Sequence, residues 1–115
     1  MITITKGWTG PTLAPATIVH HPVHGHMRLM DVPEGDIVDV VCTDEGVPYC
    51  SADGLEEWAE YVATDSCGDT YQHEKRFPWL EILRWQNMGN MEEASEDYYH
   101  PGDWRESLYR VWRDK

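Results

Sequence analysis

Residues 37–43 read Ile-Val-Asp-Val-Val-Cys-Thr, a run in which β-branched residues dominate. Such a run predicts a strand at the centre of a sheet. Asp44-Glu45-Gly46 follows and is typical of a tight turn with glycine at positive φ. A short strand at residues 47–50 should come next. Pro48 places it at an edge, because proline cannot donate a hydrogen bond to a neighbouring strand.

Three further strands are predicted before this run. Residues 2–5 alternate apolar and polar side chains with the period of a strand. Residues 16–20 are rich in β-branched side chains, and residues 27–30 form another short apolar segment. We therefore expect an antiparallel sheet of three to five strands from residues 2–50.

The second half of the chain has the pattern of helices. Asp53 and Glu56 have the spacing of a capping box, and an apolar stripe with helical period follows as far as Val62. A second helix is predicted from Pro78 to about Met88, and a third over residues 104–113. The expected fold class is α+β: one domain over residues 1–115, with the sheet covered by two or three helices from residues 53–113.

The charge distribution gives the main indication of function. Residues 29–74 contain 13 carboxylates and no lysine or arginine, and the whole chain has a net charge of −12. Such a segment cannot neutralise itself locally, so its field favours a cationic partner. Direct binding to nucleic acid or to an anionic membrane is disfavoured. With no apolar segment near the ~20 residues of a membrane span, and three irregularly spaced cysteines, we expect a soluble, cytoplasmic chain.

The candidate partner-binding residues are acids at predicted turns, strand ends and the outer face of the first helix, together with aromatic residues outside the predicted core. They are Asp36, Asp44, Glu45, Asp53, Glu56, Glu57, Glu60, Asp65, Trp8, Tyr98 and Tyr99. Acids spaced in this way can imitate a nucleic-acid backbone and occupy a basic groove. The alternative is that the acids only keep the protein soluble and the aromatic side chains only cap the core.

Residues 20–26 contain four histidines and form the strongest local candidate for chemistry. His24 and His26, two positions apart, would share one strand face and could bind zinc or another divalent metal with a third ligand from elsewhere. The alternative is a polar turn reversed by Pro22 and Gly25, with no cofactor. Because the chain contains no recognisable nucleophile motif or phosphate-binding loop, a non-enzymatic role is favoured over catalysis.

Small size, acidity, high tryptophan content and the lack of a catalytic motif make the chain similar to small phage-encoded inhibitors of the anti-CRISPR and anti-restriction type. The similarity lies in general character and in no single motif. It implies a partner that is a basic protein, such as a nucleic-acid-binding complex in a host cell. A structural subunit of a larger assembly is the other alternative, and the oligomeric state stays open.

Overall fold

The computed structural model describes residues 2–6, 13–74, 79–81, 84–86 and 89–113. These residues form short strands joined by turns, with single 3₁₀ turns at Leu29–Asp31, Glu96–Tyr98 and Trp104–Glu106. The strands are β1 (Ile2–Thr5), β2 (Ile18–His21), β3 (Gly25–Arg28), β4 (Ile37–Val40), β5 (Tyr49–Cys50), β6 (Tyr61–Thr64), β7 (Thr70–His73), β8 (Trp79–Glu81), β9 (Arg84–Gln86), β10 (Met91–Glu93) and β11 (Tyr109–Val111).

The first sheet is antiparallel, with strand order β1-β4-β2-β3. The prediction of a central strand is confirmed over residues 37–40, because β4 lies between β1 and β2. Val38 and Val40 point inward and pack with Val19 and Val32 in one core cluster. Ile37 lies on the other face and is 58% exposed, so this sheet has one buried face and one solvated face.

The second sheet has the order β10-β7-β6-β11-β5, and β11 and β5 are its parallel pair. All four residues of the central strand β6 are buried, because the strand has a neighbour on each side and packing on both faces. Its core cluster is built around Val62, Tyr109 and Val111. This sheet provides the rigid part of the molecule on which the candidate site rests.

The two sheets meet at β5. Thr17, just before β2, forms a bridge with Cys50, and Cys42, just after β4, forms one with Pro48. The predicted single N-terminal sheet is therefore wrong in one respect, since β5 belongs to the second sheet. The prediction that the strand of Pro48 lies at an edge is confirmed, because β5 ends the strand order.

The predicted α+β class is wrong: among the described residues no helix reaches seven residues, and the fold is mainly β. At the first predicted helix, Gly54 has φ +80°, in the left-handed region. A helix cannot continue from Asp53 through such a residue. Residues 61–64 then pair with β7 and β11 instead of completing the apolar stripe.

The second predicted helix is replaced, where the structure describes it, by the antiparallel hairpin β8–β9. At the third, the carboxylate of Asp103 accepts a hydrogen bond from the amide of Arg105 at 3.0 Å, as a cap should. The turn nevertheless ends at Glu106. The Ser107 hydroxyl lies at hydrogen-bond distance from the carbonyls of Thr64 and Trp104, and β11 then pairs with β6. Strand pairing, local between β8 and β9 and long-range between β11 and β6, outweighs the weak helix preference at both places.

Two histidines are buried, one on a strand of the second sheet and one in the segment that packs against it. His73, on β7, is 0% exposed, and its loss of hydration lowers the pKa of the imidazole to about 4. Burial also lowers the pKa of His100. The Nδ1 atom of His100 lies 2.7 Å from the hydroxyl oxygen of Tyr109, which also accepts a hydrogen bond from the Ala14 amide. Because burial disfavours the charged form of both imidazoles, the folded state favours their neutral forms.

Because these pKa values lie below the value of about 6.5 in an unfolded chain, the unfolded state takes up protons first as the pH falls. We expect the free energy of unfolding to fall between pH 7 and pH 5, by about 2 kcal/mol from His73 alone. Urea unfolding at several pH values measures this. H73Q should flatten the dependence, while H24Q, at an exposed histidine, should keep it. An unfolding free energy that is constant from pH 7 to pH 5 would contradict the account.

Candidate partner-binding surface

The segment of residues 53–60, here called the acidic loop, connects β5 to β6. Because β11 lies between these two strands in the sheet, the loop must pass over the end of β11. The main chain of β11 meets it there: the amide of Val111 donates to the Glu60 carbonyl at 2.9 Å. The amide of Trp112 donates to the Cys50 carbonyl at 2.7 Å. The path of the loop is thus fixed at both ends by the sheet.

Three side chains hold the main chain of the acidic loop. The side-chain oxygen of Gln72 accepts a hydrogen bond from the Glu56 amide at 2.7 Å. The Tyr98 hydroxyl bonds to the carbonyls of Ser51 and Asp53. Arg113 donates from Nη2 to the carbonyls of Glu56 and Ala59, at 2.8 and 2.9 Å. Charge-assisted hydrogen bonds of this kind are stronger than neutral ones, so the loop is ordered although it is not a helix.

This arrangement leaves most of the negative charge of the loop exposed, although Glu60 pairs with Arg110 at 3.2 Å. Arg113 bonds to main-chain oxygens, and within the described residues no basic side chain lies within 4.0 Å of the carboxylates of Glu56 and Glu57, which are both exposed. Asp53 has an 80% exposed side chain and only a long contact, 3.9 Å, to Arg28. The loop therefore presents negative charge to solvent from a fixed backbone.

A row of rings runs beside the loop and crosses from the second sheet to the first. It consists of Tyr49, Trp112, His26 and His20, here called the aromatic row. Successive ring centroids are 4.9, 4.9 and 5.4 Å apart. The two histidines are exposed, whereas Tyr49 and Trp112 are half-buried.

This row was not predicted from the sequence, because Trp112 lies within the third predicted helix. The signal was present as a period of two: Tyr109 and Val111 are buried, and Arg110 and Trp112 lie on the other face of the strand.

Open grooves lie on both sides of Tyr49. The first, with a volume of about 560 Å³, is bordered by both the Asp44-Glu45 turn and Glu60. The second, of about 650 Å³, separates Trp112 from the acidic loop at Glu57. Both grooves have an aromatic wall and more carboxylates than arginines, since Arg110 borders both grooves and Arg113 also borders the second. This combination suits a cationic side chain.

The structure places the other predicted acids in different surroundings. Asp44 and Glu45 are exposed in the turn between β4 and β5, and Glu60 is half-exposed and pairs with Arg110 at 3.2 Å. The Asp36 carboxylate accepts a hydrogen bond from Nε2 of His21 at 2.8 Å, since Nδ1 of that ring accepts from the amides of Val23 and His24. Asp36 therefore helps to hold the β2–β3 hairpin.

The predicted exposure of Asp65 is wrong, because this residue is only 5% exposed. Its carboxylate accepts a hydrogen bond from the amide of Trp85 at 2.7 Å, since the β8–β9 hairpin packs over the end of β6. The predicted exposure of Tyr98 is also wrong. This side chain is 3% exposed and its hydroxyl holds the acidic loop, whereas Tyr99 is 42% exposed. Trp8 lies outside the described residues.

The structure separates the two predicted metal ligands. His24 lies in the turn, with its ring 4.7 Å from that of His21, and His26 is instead the cross-strand partner of His20. The predicted shared face fails because the chain turns at residues 22–24, so only His26 lies on a strand. Among the described residues no group of three or more histidine, cysteine or acidic side chains could hold a metal ion.

None of the protein-family models, curated proteins or solved structures compared with the chain matches it. The similarity to phage-encoded inhibitors therefore gains no support from the comparisons. No helix in the described part of the chain has the length and apolar character needed to span a membrane. The assignment of a function thus depends on the geometry of the surface.

The histidine geometry makes a prediction about metal binding. Two imidazoles on neighbouring strands can act as a weak two-ligand site for a borderline metal ion. We expect added Zn²⁺ to shift the imidazole NMR signals of His20 and His26 and to leave those of His24 unchanged. H26A should abolish the shift at His20, and H24A should not. A Zn²⁺ response centred on His24 would contradict the arrangement of the hairpin.

Proposed function

We propose that this protein is a non-enzymatic binding protein whose acidic loop engages a basic surface on a partner protein. The observation that carries the proposal is that the main chain of the loop is held by hydrogen bonds while two of its carboxylates stay exposed. Its main chain is held by Gln72, Tyr98 and Arg113, and the carboxylates of Glu56 and Glu57 are left exposed. The ordered main chain presents these two carboxylates to a partner in a fixed position.

Electrostatics supports a cationic partner. With a net charge of −12, the protein repels nucleic acids and attracts basic surfaces over a Debye length of about 10 Å at moderate salt. The Asp44-Glu45 turn adds two exposed carboxylates near the loop. The turn borders the first groove and the loop borders the second, and the two grooves share Tyr49 and Glu60. A basic site that normally holds a nucleic-acid backbone would be a suitable partner surface.

The ordered backbone supports specific rather than diffuse attraction. A loop that is already fixed loses less conformational entropy on binding than a disordered acidic tail does. The aromatic row next to the loop adds the type of side chain that dominates protein–protein hot spots. Trp112 is the central member of that row and borders the acidic loop across the second groove.

The test is affinity capture from a lysate of the source cell, followed by measurement of the dissociation constant for the captured partner over a range of salt concentrations. We expect binding to weaken steeply as salt rises and the partner to release its DNA or RNA on binding. E56Q/E57Q should weaken binding by about tenfold, the effect of roughly 0.7 kcal/mol per carboxylate.

The matched control is D69N/E106Q, which removes one exposed carboxylate from the turn between β6 and β7 and one from the Trp104–Glu106 turn, both at the end of β6 opposite to the acidic loop. Both double variants change the net charge equally, so the control should bind almost as well as the unmodified protein. Binding that is indifferent to salt, or an equal loss in the two variants, would overturn the proposal.

A further inference from the structure

The first groove already contains an arginine of the protein itself. The guanidinium carbon of Arg110 lies 4.9 Å from the centroid of the Tyr61 ring, and Nη1 lies 3.2 Å from a carboxylate oxygen of Glu60. The strand register produces this contact, since Arg110 of β11 is the direct partner of Tyr61 on β6. The groove therefore shows, within one molecule, a guanidinium placed between a tyrosine ring and a carboxylate.

The rest of the same groove repeats the tyrosine ring and the carboxylates, and no basic side chain from the described residues pairs with those carboxylates. Asp44 and Glu45 lie on its rim, exposed and, in the described part of the chain, without an ion pair within 4.0 Å. Tyr49 is half-buried on its wall. Three carboxylates and one guanidinium border the groove, so its formal charge is −2 with Arg110 in place.

From these contacts we infer that the first groove receives an arginine side chain from an extended basic segment of the partner. The guanidinium of that arginine pairs with Asp44 and Glu45 and stacks on Tyr49, beside the site that Arg110 fills. This inference rests on the proposed function and adds the residue type that the partner contributes.

Arginine fits the groove better than lysine does. Its planar guanidinium can donate two parallel hydrogen bonds to a carboxylate and can stack on an aromatic face at the same time. A lysine ammonium is more strongly hydrated and offers only a point charge. A phosphate or carboxylate ligand would meet repulsion from the rim, and an apolar side chain would leave the rim carboxylates without a partner.

The experiment titrates the protein with octa-arginine and with octa-lysine, which carry equal charge, and follows binding by calorimetry. We expect octa-arginine to bind about fivefold more tightly. D44N/E45Q should weaken binding of octa-arginine by about tenfold. The control E92Q/E93Q removes two exposed carboxylates from β10, at the edge of the second sheet opposite to β5, and should weaken binding by less than about twofold. Y49L should reduce the preference for octa-arginine over octa-lysine.

Equal affinity for the two peptides, or an equal loss in D44N/E45Q and E92Q/E93Q, would overturn the inference. Because Asp44 and Glu45 lie in an exposed turn, their double variant keeps the test valid even if Y49L fails to fold. The proposed function fails separately, if binding of the captured partner does not respond to E56Q/E57Q. Octa-arginine and octa-lysine that bind equally well and with equal salt dependence would exclude the arginine groove and leave the acidic loop as the binding surface.

Discussion

The arrangement of the candidate surface depends on the bonds from Arg113 to the carbonyls of Glu56 and Ala59. The acidic loop has to cross the end of β11. Arg113 lies two residues beyond that strand and so reaches the main chain of the loop where it crosses. A guanidinium bound to carbonyl oxygens stabilises the backbone and neutralises no carboxylate. The loop can therefore have an ordered main chain and still expose the carboxylates of Glu56 and Glu57.

The other basic residues near the end of the chain leave most of the charge asymmetry in place. Arg105 bonds to Asp103 within its own 3₁₀ turn, so it is not available to residues 29–74. Arg110 pairs with one acid of that segment, Glu60. The carboxylates of Glu56 and Glu57 remain exposed, and the segment that stands out in the sequence also stands out on the surface.

The sequence was sufficient for the first sheet and insufficient for the second. The strand at residues 2–5 follows local alternation of polarity, and the strands at 18–21 and 37–40 follow β-branched runs, which a sequence displays directly. The strand predicted at residues 27–30 lies at 25–28, because residues 29–31 form a 3₁₀ turn. Residues 53–62 fit a helical period, but Gly54 at φ +80° and the pairing of β6 with β7 and with the distant strand β11 decide the structure. A pairing partner almost 50 residues away leaves no mark in a local pattern.

The site was predictable to a similar degree. The exposure of Glu56 and Glu57 was expected from a helix face and is found on a loop, because charged side chains avoid burial in either conformation. Asp65 and Tyr98 were misjudged, since their burial results from the hairpin β8–β9 and from the acidic loop, which are distant in sequence. The outward side of Trp112 is visible in the period of two over residues 109–112, but its contacts with Tyr49 and His26 depend on the junction between the two sheets.

The most direct test of the central claim is the affinity of R113M for a basic partner, measured together with hydrogen exchange of the amides in residues 56–60. The variant is more acidic than the unmodified protein, so attraction through net charge alone would make it bind at least as tightly. The account predicts the opposite: faster exchange in the acidic loop and binding weakened by about tenfold, because the loop must be ordered again on binding. Unchanged or tighter binding by R113M would contradict the account.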